Sequence, residues 1–170
     1  LRMLTGLYSL DEGKILVDGK TLQPEMLQDF REIFAAVFSD FHLFSQLYGI
    51  ADEVLIEAEE WADFLEIHHK VKIEGRNFST VDLSTGQRKR LALLGALLEH
   101  RPVLVLDEWA ADQDPLFRRK FYREVLPKLQ NMGTTIISVT HDNRFFDAAD
   151  RQIHMEDGIL GTFNPEHYHD

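Results

Sequence analysis

Two adjacent carboxylates, Asp107 and Glu108, follow the unbroken apolar run Val103-Leu104-Val105-Leu106. Such a run is expected of a parallel strand covered on both faces. Its carboxyl end is where open α/β sheets place their chemistry. Successive side chains on a strand point to opposite faces, so the two carboxylates need not compete for one role. A second group lies upstream, in Leu83-Ser84-Thr85-Gly86-Gln87. Ser84 can accept a hydrogen bond from the first turn of a helix, and Gln87, three residues on, can return one; that is the spacing of a capping box. Gly86 stands where a larger side chain would block anything approaching the helix end. The unpaired amides and positive dipole end there make a seat for a phosphate. His141 is the third, in Thr140-His141-Asp142 after the β-branched run Thr134 to Val139. A histidine at the end of a strand neighbouring the Asp107–Glu108 strand can join their chemistry.

The elements that must position these groups follow from pattern. Leu1, Leu4 and Leu7 at helical spacing predict a helix over Leu1 to Tyr8. Lys14 to Val17 predicts a short strand closed by Asp18-Gly19, and Phe34 to Phe38 a buried strand. Leu47 to His69 reads as an acidic helical stretch, with Val54, Leu55, Ala58, Trp61, Ala62 and Leu65 as its apolar stripe. His68-His69 invites a metal reading, but helical neighbours point about 100° apart and no third ligand is near, so a solvated pair is expected. The basic run Arg88-Lys89-Arg90 reads as a helix face turned to solvent. Asp114-Pro115 is a cap followed by a first-turn proline. It opens a helix over Leu116 to Leu129, striped by Phe117, Phe121, Val125 and Leu129 and ended by Gly133. A short helix around Phe145 to Asp150 follows. A last hairpin pairs Gln152 to Met155 with Ile159 to Phe163, and a polar tail ends the chain.

Composition narrows the class. At 170 residues the chain can hold one domain with a substantial core. Eighteen basic and 29 acidic residues give a net charge of −11, which argues against a general nucleic-acid surface. There is no cysteine, so disulfides and thiolate metal sites are excluded. The longest apolar run, Leu91 to Leu98, has eight residues, against roughly 20 needed to cross a bilayer. The expectation is a soluble piece.

Taken together, these motifs carry a family resemblance. LSTGQRKR resembles the signature motif of ABC-type ATPases, and LVLDE resembles their Walker B strand with its catalytic Glu. A Thr-His pair after the next strand completes the set. The resemblance implies an α/β fold: a P-loop NTPase core with a mostly parallel sheet and an inserted helical subdomain. The core would be residues 1–44 and 101–170, and the helical and signature subdomain 45–100. Leu1 to Leu7 resembles the tail of the helix that opens with the GxxxxGK[ST] phosphate loop, and GKILVDG resembles the piece after it. No such loop occurs in the sequence, so the resemblance implies a partial domain beginning just after Walker A. The other reading is a complete protein whose first residues merely resemble that tail.

The resemblance also assigns roles. Asp107 holds Mg²⁺, Glu108 polarises the attacking water as general base, and His141 contacts the γ-phosphate. Ser84, Gly86 and Gln87 approach an ATP held by a partner ATPase domain in a head-to-tail dimer. Asp114 ends the loop that crosses the dimer interface, where the family's Ser-Ala-Leu-Asp is otherwise replaced. Ser39 stands where the family places a Gln that touches Mg²⁺ and water; its reach is shorter by two bonds, and a plain turn Ser is the other reading. VFSDFHLF resembles the cyclic-peptide and siderophore-associated exporter subgroup. Arg88 is placed to attract phosphate, while Lys89 and Arg90 belong to the surface. Phe41, Phe44, Leu47 and Tyr48 either meet a membrane-spanning partner or are core. The implied function is the ATP-binding and ATP-hydrolysing portion of an exporter of a peptide or siderophore-related substrate, on the cytoplasmic face of a bacterial inner membrane. A transmembrane domain is the implied partner; nucleic acid is not. These residues alone would turn ATP over negligibly. The alternatives are a soluble ABC ATPase acting on nucleic acid or ribosomes, and a non-catalytic truncated module.

Overall fold

The structure, a computed structural model, describes residues 1–161. The expected helix at the start is a single turn. Gly6, at φ 71°, takes the left-handed position that stops it. The Leu7 amide reaches back to the Arg2 carbonyl at 2.9 Å and the Gly6 amide to Met3 at 3.1 Å. That is the closing pattern of a helix C-terminus, arriving too early for a helix to develop. The expected hairpin follows, β1 (Leu16–Val17) with β2 (Lys20–Thr21). Asp18 and Gly19 both take positive φ at its turn, as a tight hairpin requires. Helix α1 (Leu27–Arg31) leads into β3 (Phe34–Val37).

The acidic stretch is helical over a shorter span than expected. A 3₁₀ turn over Asp52–Leu55 runs into α2 (Ile56–Phe64). Glu66 then adopts φ 58°, and the Ile67 amide bonds back to Ala62 at 2.9 Å, ending the helix. His68 and His69 therefore lie beyond it, exposed, with His68 3.0 Å from Asp63. Leu47 is buried, whereas Phe44 and Tyr48 stand exposed with their rings in edge contact. A small hairpin of β4 (Ile73–Glu74) and β5 (Asn77–Phe78) precedes α3 (Thr85–Leu98).

The centre is a three-stranded parallel sheet. β6 (Val103–Asp107) lies between β3 and β7 (Thr135–Val139). Val37 pairs in register with Leu106, and Asp107 with Val139. Leu104, Val105 and Leu106 are buried, as expected of a strand covered on both faces. Between β6 and β7 the chain makes a 3₁₀ turn over Trp109–Asp112 and then a long helix. That helix has three sections: α4 (Pro115–Lys120), a π-helical section over Phe121–Val125, and α5 (Leu126–Asn131). Pro127 explains the widening. It has no amide to donate to Arg123, and the wider turn accommodates the missing bond. Trp109 stacks on Phe121 at 4.4 Å between ring centroids, anchoring the helix to the end of β6. A 3₁₀ segment over Asn143–Ala148 and the hairpin of β8 (His154–Glu156) and β9 (Ile159–Gly161) follow. The expected extension of that hairpin to Phe163, and the polar tail, lie outside the described residues.

Candidate active site

The parallel register brings the ends of three strands to one edge. Two residues past β3, the Ser39 hydroxyl donates to Asp107 Oδ2 at 3.0 Å, and the Ser39 amide lies 3.4 Å from the same oxygen. On the other side, the Glu108 amide donates to the Val139 carbonyl at 3.0 Å. Glu108 itself has φ 46° and ψ 35°, a left-handed conformation. Non-glycine residues hold that conformation only when their surroundings over-determine it. Its Oε1 then meets His141 Nε2 at 3.1 Å. These two side chains line a cleft of about 350 Å³, shared with Arg118, Asp142 and Arg144. A histidine and a carboxylate in direct contact can take up a proton from a water molecule and hold an anion beside it.

Asp107 and Ser39 supply hard oxygen donors within 3.0 Å of one another. That set fits Mg²⁺, which is bound by one or two carboxylates together with water and substrate phosphates. Among the described residues no group of three or more His, Cys, Asp and Glu is arranged to cage a metal.

The start of α3 forms a second cleft, of about 370 Å³, that gathers Ser84, Gly86, Gln87, Arg90, Asp112 and Asp114. The capping box is realised: Gln87 N–H to Ser84 Oγ at 3.4 Å, and Ser84 N–H to Gln87 Oε1 at 3.2 Å. Gly86 has a further reason beside the one expected. A Cβ there would lie 2.7 Å from the Asp112 carbonyl oxygen, so the glycine lets α3 press against the 3₁₀ turn after Glu108. The structure thus places Ser84, Gly86, Gln87 and Asp114 in one cleft and Glu108 and His141 in another, with Asp107 and Ser39 paired at the end of the strands outside both linings.

The surface reading of Lys89 and Arg90 is overturned, because both are buried. They face that same turn, whose carbonyls and carboxylates partner them. Lys89 Nζ lies 2.8 Å from the Glu108 carbonyl oxygen and 2.7 Å from Asp112 Oδ2. Arg90 donates to Gln113 Oε1 at 2.8 Å and Asp114 Oδ2 at 2.6 Å, with its guanidinium carbon 3.4 Å above the Phe117 ring. Burial pulls the Arg90 pKa down, and the bond to Asp114 opposes this. Asp114 caps α4 by accepting from the Phe117 amide at 3.0 Å. That bond, and then Arg90, hold its carboxyl below the ordinary aspartate range. Arg88 is exposed.

Sequence pattern gave no sign of two further residues. Arg118 donates to the carbonyls of Ala110, Ala111 and Gln113 at 2.9–3.1 Å and reaches Asp142 Oδ2 at 3.4 Å, tying the turn after Glu108 to the segment after His141. The Tyr122 hydroxyl donates to Thr140 Oγ1 at 3.0 Å from the π-helical section. An unexpected π turn inside a predicted helix is such a sign only in retrospect, since Pro127 alone hints at it.

With this geometry in view, the comparison with known proteins is direct. The family profile described as "ABC transporter" matches residues 1–111. The chain belongs to the ABC transporter family. Over 163 residues this ABC chain is 47% identical to the ATP-binding protein SyrD of Pseudomonas syringae pv. syringae, covering 94% of the chain and 29% of SyrD. It is 31% identical over 180 residues to the ATP-dependent lipid A-core flippase of Escherichia coli K12, covering 95% of the chain and 30% of the flippase. The ABC chain thus spans less than a third of the length of either relative. In fold it matches the dimeric ATP-binding cassette MJ0796 in a post-hydrolysis state bound to ADP and Pi. The TM-score is 0.75 at 22% identity, covering 95% of this chain and 76% of that one. The P-loop NTPase fold, α/β with a parallel central sheet, is thereby established.

Proposed function

We propose that this chain is the ATP-hydrolysing portion of an ABC exporter that moves a peptide or siderophore-related substrate across a bacterial inner membrane from its cytoplasmic face. The observation that carries the reading is the contact of Glu108 with His141 at 3.1 Å beside the Asp107–Ser39 pair. Water attacks the γ-phosphorus, Glu108 takes its proton, and the bond to the ADP oxygen breaks. His141 leaves Glu108 to hydrogen-bond the γ-phosphate. Asp107 and Ser39 would hold Mg²⁺, which when bound offsets the charge of the phosphates. Ser84, Gly86, Gln87 and Asp114 form the face offered to the nucleotide of a second ATPase domain, since their cleft is separate from that of Glu108. Of the described residues, 1–44 and those from 101 onward act as the core of the fold and 45–100 as the helical subdomain; the exposed Phe44 and Tyr48, on either side of the first boundary, are suited to a transmembrane partner. Among the described residues no helix is long and apolar enough to cross a membrane.

The 170 residues contain no GxxxxGK[ST] loop, so by themselves they should bind ATP weakly and turn it over negligibly. In the full-length protein, Glu108→Gln is expected to cut kcat by roughly 10²- to 10⁴-fold, the usual worth of a positioned base, while ATP binding is kept. Turnover unchanged in that variant would refute Glu108 as the base.

A further inference from the structure

The buried ammonium of Lys89 is not needed by the chemistry above, yet it touches the residue at its centre. Its side chain is 4% exposed. A charge so placed is costly unless paired, and an apolar side chain of similar length would fill the space more cheaply. Lys89 spends its donors on the Asp112 carboxylate at 2.7 Å and on the Glu108 carbonyl at 2.8 Å. Its own carbonyl accepts from Trp109 Nε1 at 2.9 Å. One residue of α3 therefore holds both the carbonyl of Glu108 and the indole of the residue that follows it. There the backbone leaves the strand through φ 46° at Glu108. With the amide of Glu108 fixed to Val139, holding the carbonyl fixes the remaining end of the residue and with it the direction of the side chain.

We propose that Lys89 is a positioning residue for Glu108: its ammonium locks the left-handed backbone that aims the Glu108 carboxylate at His141. The inference rests on Glu108 being the general base, and it adds a link. The helix that begins at Ser84, facing the neighbouring nucleotide, reaches the base of its own site five residues later. Displacement of α3 alters the aim of Glu108 directly, without passing through the sheet.

The test is steady-state ATP hydrolysis by the full-length protein, comparing Lys89→Met, Lys89→Arg and Glu108→Gln. Lys89→Met keeps the length of the chain and removes the donors. Its kcat should fall roughly 10- to 100-fold, as for other residues that orient a reacting group, with KM for ATP within about twofold of the parent. Lys89→Arg, which restores a charged donor, should recover a large part of the rate. A folded Lys89→Met protein with kcat within about threefold of the parent overturns the proposal, as does a rise in KM matching the fall in kcat. If Lys89→Met cannot be obtained folded, Lys89→Gln, a shorter donor, takes its place: lowered kcat at unchanged KM supports the proposal and unchanged kcat overturns it. The Glu108→Gln arm separates the two levels. Turnover surviving there removes the base and the proposal with it, whereas abolished turnover beside a normal Lys89→Met rate removes only the proposal.

Discussion

Glu108 holds a backbone conformation that ordinarily costs a non-glycine residue about 1–2 kcal/mol. Its carboxylate could be read from position alone, at the end of an apolar strand. The left-handed backbone could not, because nothing about a glutamate asks for positive φ; the demand comes from Val139 and Lys89, which lie 31 and 19 residues away. The strain has a signature separable from catalysis. Glu108→Gly and Glu108→Gln both remove the base, but only the first removes the Cβ. Both are expected to cut turnover by roughly 10²- to 10⁴-fold, and in urea denaturation the glycine variant should equal the glutamine variant or exceed it by up to about 1 kcal/mol, once the entropy of an added glycine is set against the relief. A glycine variant clearly the weaker of the two would mean that the strain is not there.

Helix α3 shows how far an element can be read before its neighbours are known. Its start was set by Ser84 and Gln87 alone, because a capping box is local chemistry. Its charged run defeats pattern for the converse reason. Arginine and lysine side by side look solvated until their partners are in view, and those partners, Asp112, Gln113 and Asp114, belong to a turn beyond the next strand. Gly86 sits at the same joint and gives it a test. On an isolated helix, alanine would be favoured over glycine by about 1 kcal/mol. Against the Asp112 carbonyl at 2.7 Å, the added methyl must push backbone aside, at about 1–3 kcal/mol. Gly86→Ala should therefore lower the urea midpoint. A raised midpoint would show that α3 does not press on the turn. The helix after Asp114 is legible in extent but not in form, since a proline's effect on hydrogen bonding depends on how the surrounding turns accommodate it. At the chain's start, leucine spacing suggested a helix that Gly6 ends within one turn.

For the whole molecule, the parallel sense of the sheet follows from the family resemblance and the unbroken apolar run of β6, whereas the order that puts β6 between β3 and β7 does not. A separation of Ser84, Gly86 and Gln87 from Glu108 and His141 is implied by the family resemblance, whereas the face of α3 that meets the turn after β6 is set by Lys89 and Arg90 and shows only in the structure. Stability should follow pH through the same joints. Asp114, held down by the Phe117 amide and Arg90, and Asp142, held down by Arg144 and Arg118, have folded pKa values below the ordinary aspartate value. Their contribution is fully present above the unfolded value of about 3.9 and is lost as pH falls through the lower, folded one. Glu99 acts in the opposite sense, since burial raises its pKa and favours the protonated form in the folded chain. Urea denaturation from pH 7 downward should show Asp114→Asn weaker than the parent at neutral pH, with the gap closing only below about pH 4. A gap independent of pH would mean that the Asp114 charge contributes nothing. The burial of Trp109 has a practical side as well. The sequence contains two tryptophans. One indole, 1% exposed, is tethered to Lys89 and stacked on Phe121 directly after Glu108; the other, Trp61, lies in α2. With Trp61→Phe and excitation beyond the tyrosine band, the emission comes from one indole packed between α3 and the helix after Asp114, so its wavelength and quenching report, without any attached dye, whether nucleotide shifts the joint.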